Sequence, residues 1–425
     1  MVDTIFALSS GAPPAAIAVI RISGPQAGAA LMQLAGTLPR PRHASYRVLR
    51  DGAGEVLDRA LVLWLPGPAS ATGEDSAELH CHGGRAVISA VEGSLAAQPK
   101  LRRATPGEFT RRAFVNGRID LAEAEGLADL LTAETELQRR SALAMAGGAF
   151  SRAVEGWRTA LLSASAQLEA VLDFGDEDDV AALPPSFAVN LAALRQEVAE
   201  YLTRPRAEVL REGFKVVLAG PPNSGKSTLF NALVESDAAI TAEIAGTTRD
   251  VLTRPVAIGG VPFLFADTAG LRDETSDSIE AIGITRARTA LCHADLVLWL
   301  GVEGQGPQGC WEIAPQCDRA DHLAKQSPRH RISALTGEGL AVLRQDLVTT
   351  ARTALPRPGE AALNARQHRL LAEAEAALGE AAAMTDPLLA AENLRITRLA
   401  FDALLGRTTT EDMLDALFGR FCIGK

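Results

Sequence analysis

The stretch Gly220-Pro221-Pro222-Asn223-Ser224-Gly225-Lys226-Ser227 places two glycines five residues apart and follows the second at once with Lys and Ser. A loop of that composition can curl so that its backbone N–H groups point inward at phosphate oxygens. The helix that follows adds the partial positive charge of its N-terminus. Lys226 would reach the β- and γ-phosphates and Ser227 would ligate Mg2+, with Asn223, Ser224, Gly225 and Thr228 in contact with the same nucleotide. The context the pattern needs is present. Phe214–Ala219 reads as a buried strand before it, and Thr228–Val234 as a helix after it.

Two further elements follow in the order a nucleotide switch domain requires. Asp267-Thr268-Ala269-Gly270 closes a second apolar strand, Pro262–Ala266, where an Asp holds Mg2+ through water and a Gly N–H approaches a γ-phosphate. Between the two lies Gly246-Thr247-Thr248-Arg249-Asp250, with Thr247 at the nucleotide and the Thr248 hydroxyl completing the Mg2+ shell. Base recognition is where the pattern degrades. GTPases of the translational type carry N-K-x-D after the next strand, and the nearest match is Asp318-Arg319-Ala320-Asp321. Asp321 supplies the guanine-reading carboxylate there, while Asp318 stands for Asn and Arg319 for Lys. The segment before it, Ile313–Gln316, contains Pro315 and makes a poor strand. Ser333-Ala334-Leu335 then fits the element whose backbone N–H meets the base. A surviving Asp and this Ser-Ala pair favour guanine over adenine.

These residues must be held by a scaffold of several domains, since the chain has 425 residues and about 150 per domain is usual. Residues 1 to about 117 mix short β-like runs (Ala16–Ile22, Ala60–Leu65) with turns and helical stretches such as Ala86–Leu95, an α+β texture. From Asp120 the texture is alanine-rich and helical: Leu121, Ala124, Leu127, Ala128 and Leu131 recur at helical steps, as do Leu161, Ser165, Leu168 and Leu172. Residues 214 to about 350 alternate strand and helix, and helical texture returns after Pro356 and Pro358. The expected fold is an α+β N-terminal domain, a helical domain, and an α/β P-loop domain of the Ras-like kind inserted into it, because exposed loops tolerate insertion. The boundaries expected are 1–117, 118–212, 213–353 and 354–425.

Composition narrows the class. Asp plus Glu is 52 against 42 Lys plus Arg, a net charge of −10, so no broad basic field grips nucleic acid. Apolar residues at 47% suffice for a core, and 22% charged residues argue against global disorder. No apolar run approaches the ~18 residues of a membrane span, and Met1-Val2-Asp3-Thr4 lacks the basic start of a signal peptide. Five scattered cysteines without a Cys-x-x-Cys pair read as reduced thiols in a cytoplasmic protein. The basic cluster Lys100, Arg102, Arg103, Arg111, Arg112 and Arg118 reads as a solvated face and part of a ligand pocket, or else as a contact for nucleic-acid phosphate.

The sequence resembles the MnmE (TrmE) family of tRNA-modification GTPases over essentially its whole length. The residues that carry the likeness are Asp3-Thr4-Ile5, Ala16-Ile17-Ala18-Val19-Ile20-Arg21-Ile22-Ser23-Gly24, Thr72-Gly73-Glu74-Asp75 and Glu78-Leu79-His80-Cys81-His82-Gly83-Gly84. Pro106-Gly107-Glu108-Phe109-Thr110-Arg111-Arg112-Ala113-Phe114 and Asn116-Gly117-Arg118-Ile119-Asp120-Leu121-Ala122-Glu123-Ala124-Glu125 join them. So does the terminal Cys422-Ile423-Gly424-Lys425.

The resemblance implies an N-terminal domain that binds a formyl-tetrahydrofolate-type donor and forms a homodimer. It implies an FAD-dependent partner of the GidA/MnmG type in a heterotetramer. Together the two would add an aminomethyl-type group to carbon 5 of the wobble uridine of certain tRNAs, with no membrane involved. By position the folate contacts are Arg21, Glu78, Arg118 and Lys425. The family usually has Lys at 118, and Arg changes the geometry of that contact. Cys422 matches a cysteine near that site and has a possible thiol role. The resemblance also implies K+-dependent GTP hydrolysis between paired G domains, with the ion held by Asn223, Ala242, Ile244 and Thr247. Leu271 cannot orient water, so the implied catalytic glutamate is Glu280, acting with Asn223 and Lys226. The reading of a different class is a GTP-dependent switch in ribosome assembly of the Era-like kind, which would need a basic RNA-binding module in the flanks. A folate-binding protein with an inactive G domain is the third.

Overall fold

Alternating burial of side chains marks the middle strands of the first sheet. Its strands are β1 (Thr4–Leu8), β2 (Ala15–Ser23), β3 (Ser45–Arg50), β4 (Val56–Leu65), β5 (Ser76–Gly83) and β6 (Leu101–Arg103), in the order β3-β4-β5-β2-β1-β6. All neighbours are antiparallel except β1 and β6. In β2, Ala18, Ile20 and Ile22 are buried on one face, so Arg21 projects from the other. Helices Ala27–Ala35 and Arg85–Ala96 cover the apolar face and set Leu31, Leu34, Val91 and Leu95 against Phe6, Ile20, Ile22 and Leu79. Each such side chain contributes about 1.5–3 kcal/mol. On the opposite face Phe109 of helix Glu108–Val115 packs with Ile5 and Ala7.

The computed structural model describes residues 3–174, 183–234, 252–267, 294–319, 324–408 and 410–425. The chain divides into two units, Met1–Ala128 with Phe401–Lys425, and Asp129–Ala400. The C-terminal segment thus belongs with the N-terminal sheet: Leu414, Phe418 and Phe421 share a cluster with Leu121 and Ala124.

The second unit carries β7 (Phe214–Ala219), β8 (Leu252–Ile258), β9 (Val261–Asp267), β10 (Leu296–Trp299), β11 (Trp311–Ala314) and β12 (His330–Arg331), ordered β12-β11-β10-β7-β9-β8. Every pair is parallel except β8–β9. A parallel strand covered on both faces is mostly apolar, which explains Phe214-Lys215-Val216-Val217-Leu218-Ala219, whose one polar residue, Lys215, is only half-buried near the strand's start. Pro255 sits in β8 at the edge, where a missing N–H is tolerated. Leu229, Phe230 and Leu233 of helix Lys226–Val234 and Leu343 and Leu347 of helix Leu340–Ala354 complete this core.

Long helices flank the sheet in sequence: Glu136–Ala146, Ala149–Phe174 and Pro185–Leu202 before it, Ala365–Ala383 and Pro387–Leu404 after it. The Ala207 N–H donates to Leu363 O at 2.9 Å, so the chain enters and leaves the α/β part at neighbouring points. Arg195 Nε reaches Glu375 Oε1 at 2.6 Å and joins the helices on either side of that insertion. The architecture is therefore an α+β N-terminal unit and a helical part that receives an α/β P-loop domain. Among the described residues no helix is long and apolar enough to cross a membrane.

Candidate functional site

The phosphate end of the nucleotide cleft is made mostly by backbone. β7 stops at Ala219 and the helix begins at Lys226, which leaves six residues to turn the chain. Gly225 has φ +85° and Asn223 φ +58°; the first conformation favours glycine, and the second is one that Asn adopts more readily than most residues. A Cβ on Gly220 would lie 3.1 Å from the Gly301 N and from Ser224 Oγ, so the close approach there also requires glycine. Lys226 is buried and its Nζ donates to Gly220 O (3.1 Å) and Pro221 O (2.8 Å), arching back over the loop. Ser224 Oγ is buried with no hydrogen-bond partner among the described residues. Ser227 Oγ donates to Asp267 Oδ2 at 2.7 Å, because parallel pairing of β7 with β9 sets Leu218 beside Asp267. A hydroxyl and a carboxylate so joined are the hard oxygen donors that Mg2+ takes.

The base end is a pocket of about 190 Å³ beside the same loop. Gly225 and Thr228 of the phosphate-loop segment line it together with Gln316, Asp318, Arg319 and Ala334. Pro315 does not spoil the strand before it: β11 ends at Ala314 and runs parallel to β10. The Cys317 N–H donates to Ile332 O at 3.2 Å, tying this wall to the chain that carries Ser333 and Ala334. Ser333 is fully buried and its Oγ accepts from the Thr336 N–H at 3.1 Å, fixing the turn. Thr247, Thr248, Thr268, Ala269, Gly270, Asp321, Ala242, Ile244 and Glu280 lie outside the described residues.

In the first unit, Arg21 Nη2 and Glu78 Oε1 are 3.0 Å apart on adjacent strands, and both side chains are partly open to solvent. The guanidinium stands over Phe109, 5.8 Å from its ring centre, and His80 Nε2 lies 3.3 Å from Glu78 Oε2. Arg118 runs close past Gly73, where a Cβ would lie 3.2 Å from Arg118 Cγ. The tail reaches the end of β1 through Ser9 Oγ, which donates to Gly424 O at 2.9 Å, one residue before Lys425. Arg21 and Glu78 thus form one pair, while Arg118 lies beside Gly73 and Lys425 follows the tied Gly424. Cys422 is exposed. Cys81, by contrast, is buried, and burial together with the Asp58 charge pushes its thiol up to about 12.

The basic cluster proves to be largely neutralised from within. Arg112 is fully buried and donates to Asp3 Oδ1 (3.0 Å), Glu74 Oε2 (3.0 Å) and Glu108 Oε1 (3.1 Å). Arg102 pairs with Asp3 and Glu108, Arg103 with Glu92, and Arg111 with Glu411 and Asp415. Burial works against the charge on Glu108, but hydrogen bonds from Arg102, the Thr105 N–H and Arg112 outweigh it and hold the carboxyl down at about 2. No spacing in the sequence marks this hub, since the acids on Arg112 come from positions as far apart as Asp3, Glu74 and Glu108.

The family model for the GTP-binding protein TrmE N-terminus matches residues 4–118, and that for the MnmE helical domain matches residues 121–422. The chain belongs to the MnmE family. Its relatives in that family match it from end to end. The tRNA modification GTPase MnmE of Novosphingobium aromaticivorans is 65% identical, with 100% of both chains covered. That of Erythrobacter litoralis is 64% identical and that of a Methylobacterium species 52%, each again covering 100% of both chains. The MnmE helical match brackets β7 to β12, in keeping with an inserted nucleotide domain.

Proposed function

We propose that this chain is a GTP hydrolase that acts in tRNA modification. The observation that carries the reading is the loop 220–227, with Lys226 arched over it and Ser227 joined to Asp267 at 2.7 Å. A fixed cradle of N–H groups and a lysine stabilises the charge that develops on a transferring phosphoryl group, and little covalent chemistry is asked of the protein.

The finer reading follows the family. Ser227 holds Mg2+ together with Thr248, and Asp267 lies in the same oxygen cluster. Asn223, exposed at the loop with a hard amide oxygen, suits K+, with Ala242, Ile244 and Thr247 completing the shell. A cation held there would supply positive charge to the transferring phosphoryl group, and Glu280 would orient the attacking water. Guanine is read by a carboxylate of the 318–321 loop, Asp321 in the sequence reading, and by the Ser333-Ala334 turn. In the first unit, the ionic pair Arg21–Glu78 suits a pterin-like ring and its polar edge, so the reading keeps Arg21, Glu78, Arg118 and Lys425 for a formyl-tetrahydrofolate-type donor. The domain limits at 117, 212 and 353, a homodimer, an FAD-dependent GidA/MnmG-type partner and a cytoplasmic place of action belong to the same reading. So does an aminomethyl-type product at carbon 5 of the wobble uridine.

The test is steady-state phosphate release from GTP by the full chain in K+ and in Na+ buffer. The proposal expects faster turnover in K+ and loss of that stimulation in Asn223→Ala. Equal rates in the two salts, or an Asn223→Ala variant still stimulated by K+, contradict the role given to Asn223.

A further inference from the structure

Strands β10 and β11 lie side by side and run parallel, with Trp299 beside Glu312, yet only residues 300–310 join them. A parallel crossover normally takes a dozen residues or more and usually carries a helix. Residues 300–310 carry none. A buried ion pair holds this short crossover in place. The Lys325 side chain is fully buried, and its Nζ donates to Trp299 O at 2.8 Å and to Glu312 Oε2 at 2.5 Å. Glu312 Oε1 accepts from the Gly304 N–H at 3.0 Å, and the Trp299 indole N–H donates to Val302 O at 2.8 Å. Glu303 of the same turn is tied elsewhere, accepting from the Gln326 and Ser327 N–H groups.

The turn fixed in this way lies against the start of the phosphate loop. The Leu300 N–H donates to Ala219 O at 2.8 Å, at the end of β7. A Cβ on Gly220 would lie 3.1 Å from Gly301 N. A Cβ on Gly301 would lie 3.0 Å from Pro221 Cδ and 2.5 Å from the Trp299 ring. Gly220 and Pro221 are also the two residues whose carbonyls hold Lys226. A buried ion pair is a poor source of stability, because the cost of desolvating both charges offsets most of their attraction. What Lys325 supplies is a fixed position for the Trp299 carbonyl and the turn that follows.

We infer that Lys325 is a positioning residue for GTP hydrolysis, acting through Trp299 and Gly301 on Gly220, Pro221 and so on Lys226. It rests on the GTP reading and extends it to a residue outside the loop 220–227.

The experiment measures kcat and KM for GTP in the full chain, with thermal melts beside them. The double variant Lys325→Met, Glu312→Gln removes the ion pair without leaving a lone charge. A misplacement of about 1 Å costs on the order of 100-fold in rate, so kcat should fall by about 10- to 100-fold. KM should stay within about threefold, because the loss falls on the transition state rather than on ground-state binding. Glu303→Gln loosens the same turn without touching Trp299 or Gly301, and kcat should stay within about twofold on the scale of a weakened surface bond. If the double variant does not fold, Trp299→Phe carries the test. It removes only the bond to Val302 O, keeps a ring against Gly301, and should lower kcat by about 2- to 13-fold. A double variant with wild-type kcat, or a rise in KM alone, overturns the inference. So does an equal fall of kcat in Glu303→Gln, since any loosening of the turn would then suffice, and so does a silent Trp299→Phe. Absence of GTP turnover in the wild-type chain is a separate result, which sinks the GTP reading itself.

Discussion

The two ends of the nucleotide cleft are built on different principles. At the phosphate end, residues 220–227 act through backbone N–H groups, two glycine conformations and one lysine. At the base end, Gln316, Asp318 and Arg319 bring side chains to the pocket. Backbone chemistry depends on where glycine is allowed, so it leaves a rigid spacing in the sequence. Side-chain chemistry requires only that some suitable group reach the pocket, so its spacing can drift. The difference teaches that the reaction is more tightly encoded here than the choice of base.

That comparison fails if mutations at one end spread to the other. The largest effect is expected from Lys226→Ala. Removing one fixed charge from the transferring phosphoryl group should lower kcat for GTP by roughly 10²- to 10³-fold. Preference for guanine over adenine nucleotides should be unchanged, because Lys226 does not line the base pocket. A shift in preference measured by competition binding would show that the two ends are not separable.

A smaller effect sharpens the same contrast in the first unit, where side chains rather than backbone carry the design. Glu108 is one of three carboxylates around the buried Arg112. Its carboxyl sits at about 2 when folded against an ordinary value of 4.5, so its stabilising contribution is complete above 4.5 and is lost as pH falls towards 2. Glu108→Gln should cost about 1–3 kcal/mol at neutral pH and flatten the acid dependence across that window, read by thermal melts of the full chain. A variant that loses stability in acid as steeply as wild type would show that other groups carry the titration.

Much of this was legible beforehand, and the reasons differ by region. Phe214–Ala219 reads as a strand because a parallel strand covered on both sides is a near-continuous apolar run. Ala16–Ile22 reads as one because half-buried strands alternate, and the structure extends it by a residue at each end. Ser227 and Asp267 meet because strand pairing fixes their distance. The Arg112 hub was not legible, since its partners come from remote segments and no periodicity links them. Pro315 misled the reading of its strand, because proline disfavours a strand interior but not the residue just past its end. The left-handed turn at Gln316 has no marker in residue type, and so the pocket's acid could not be placed by spacing alone.

The most direct test of the central claim is phosphate release from GTP and from ATP, by the full chain in Mg2+ and K+ at equal nucleotide concentration. The account predicts sustained release from GTP and at least about tenfold less from ATP, since a pocket built to pair with two donors rejects a base that offers an acceptor there. Equal release from both nucleotides, or none from GTP, would contradict it.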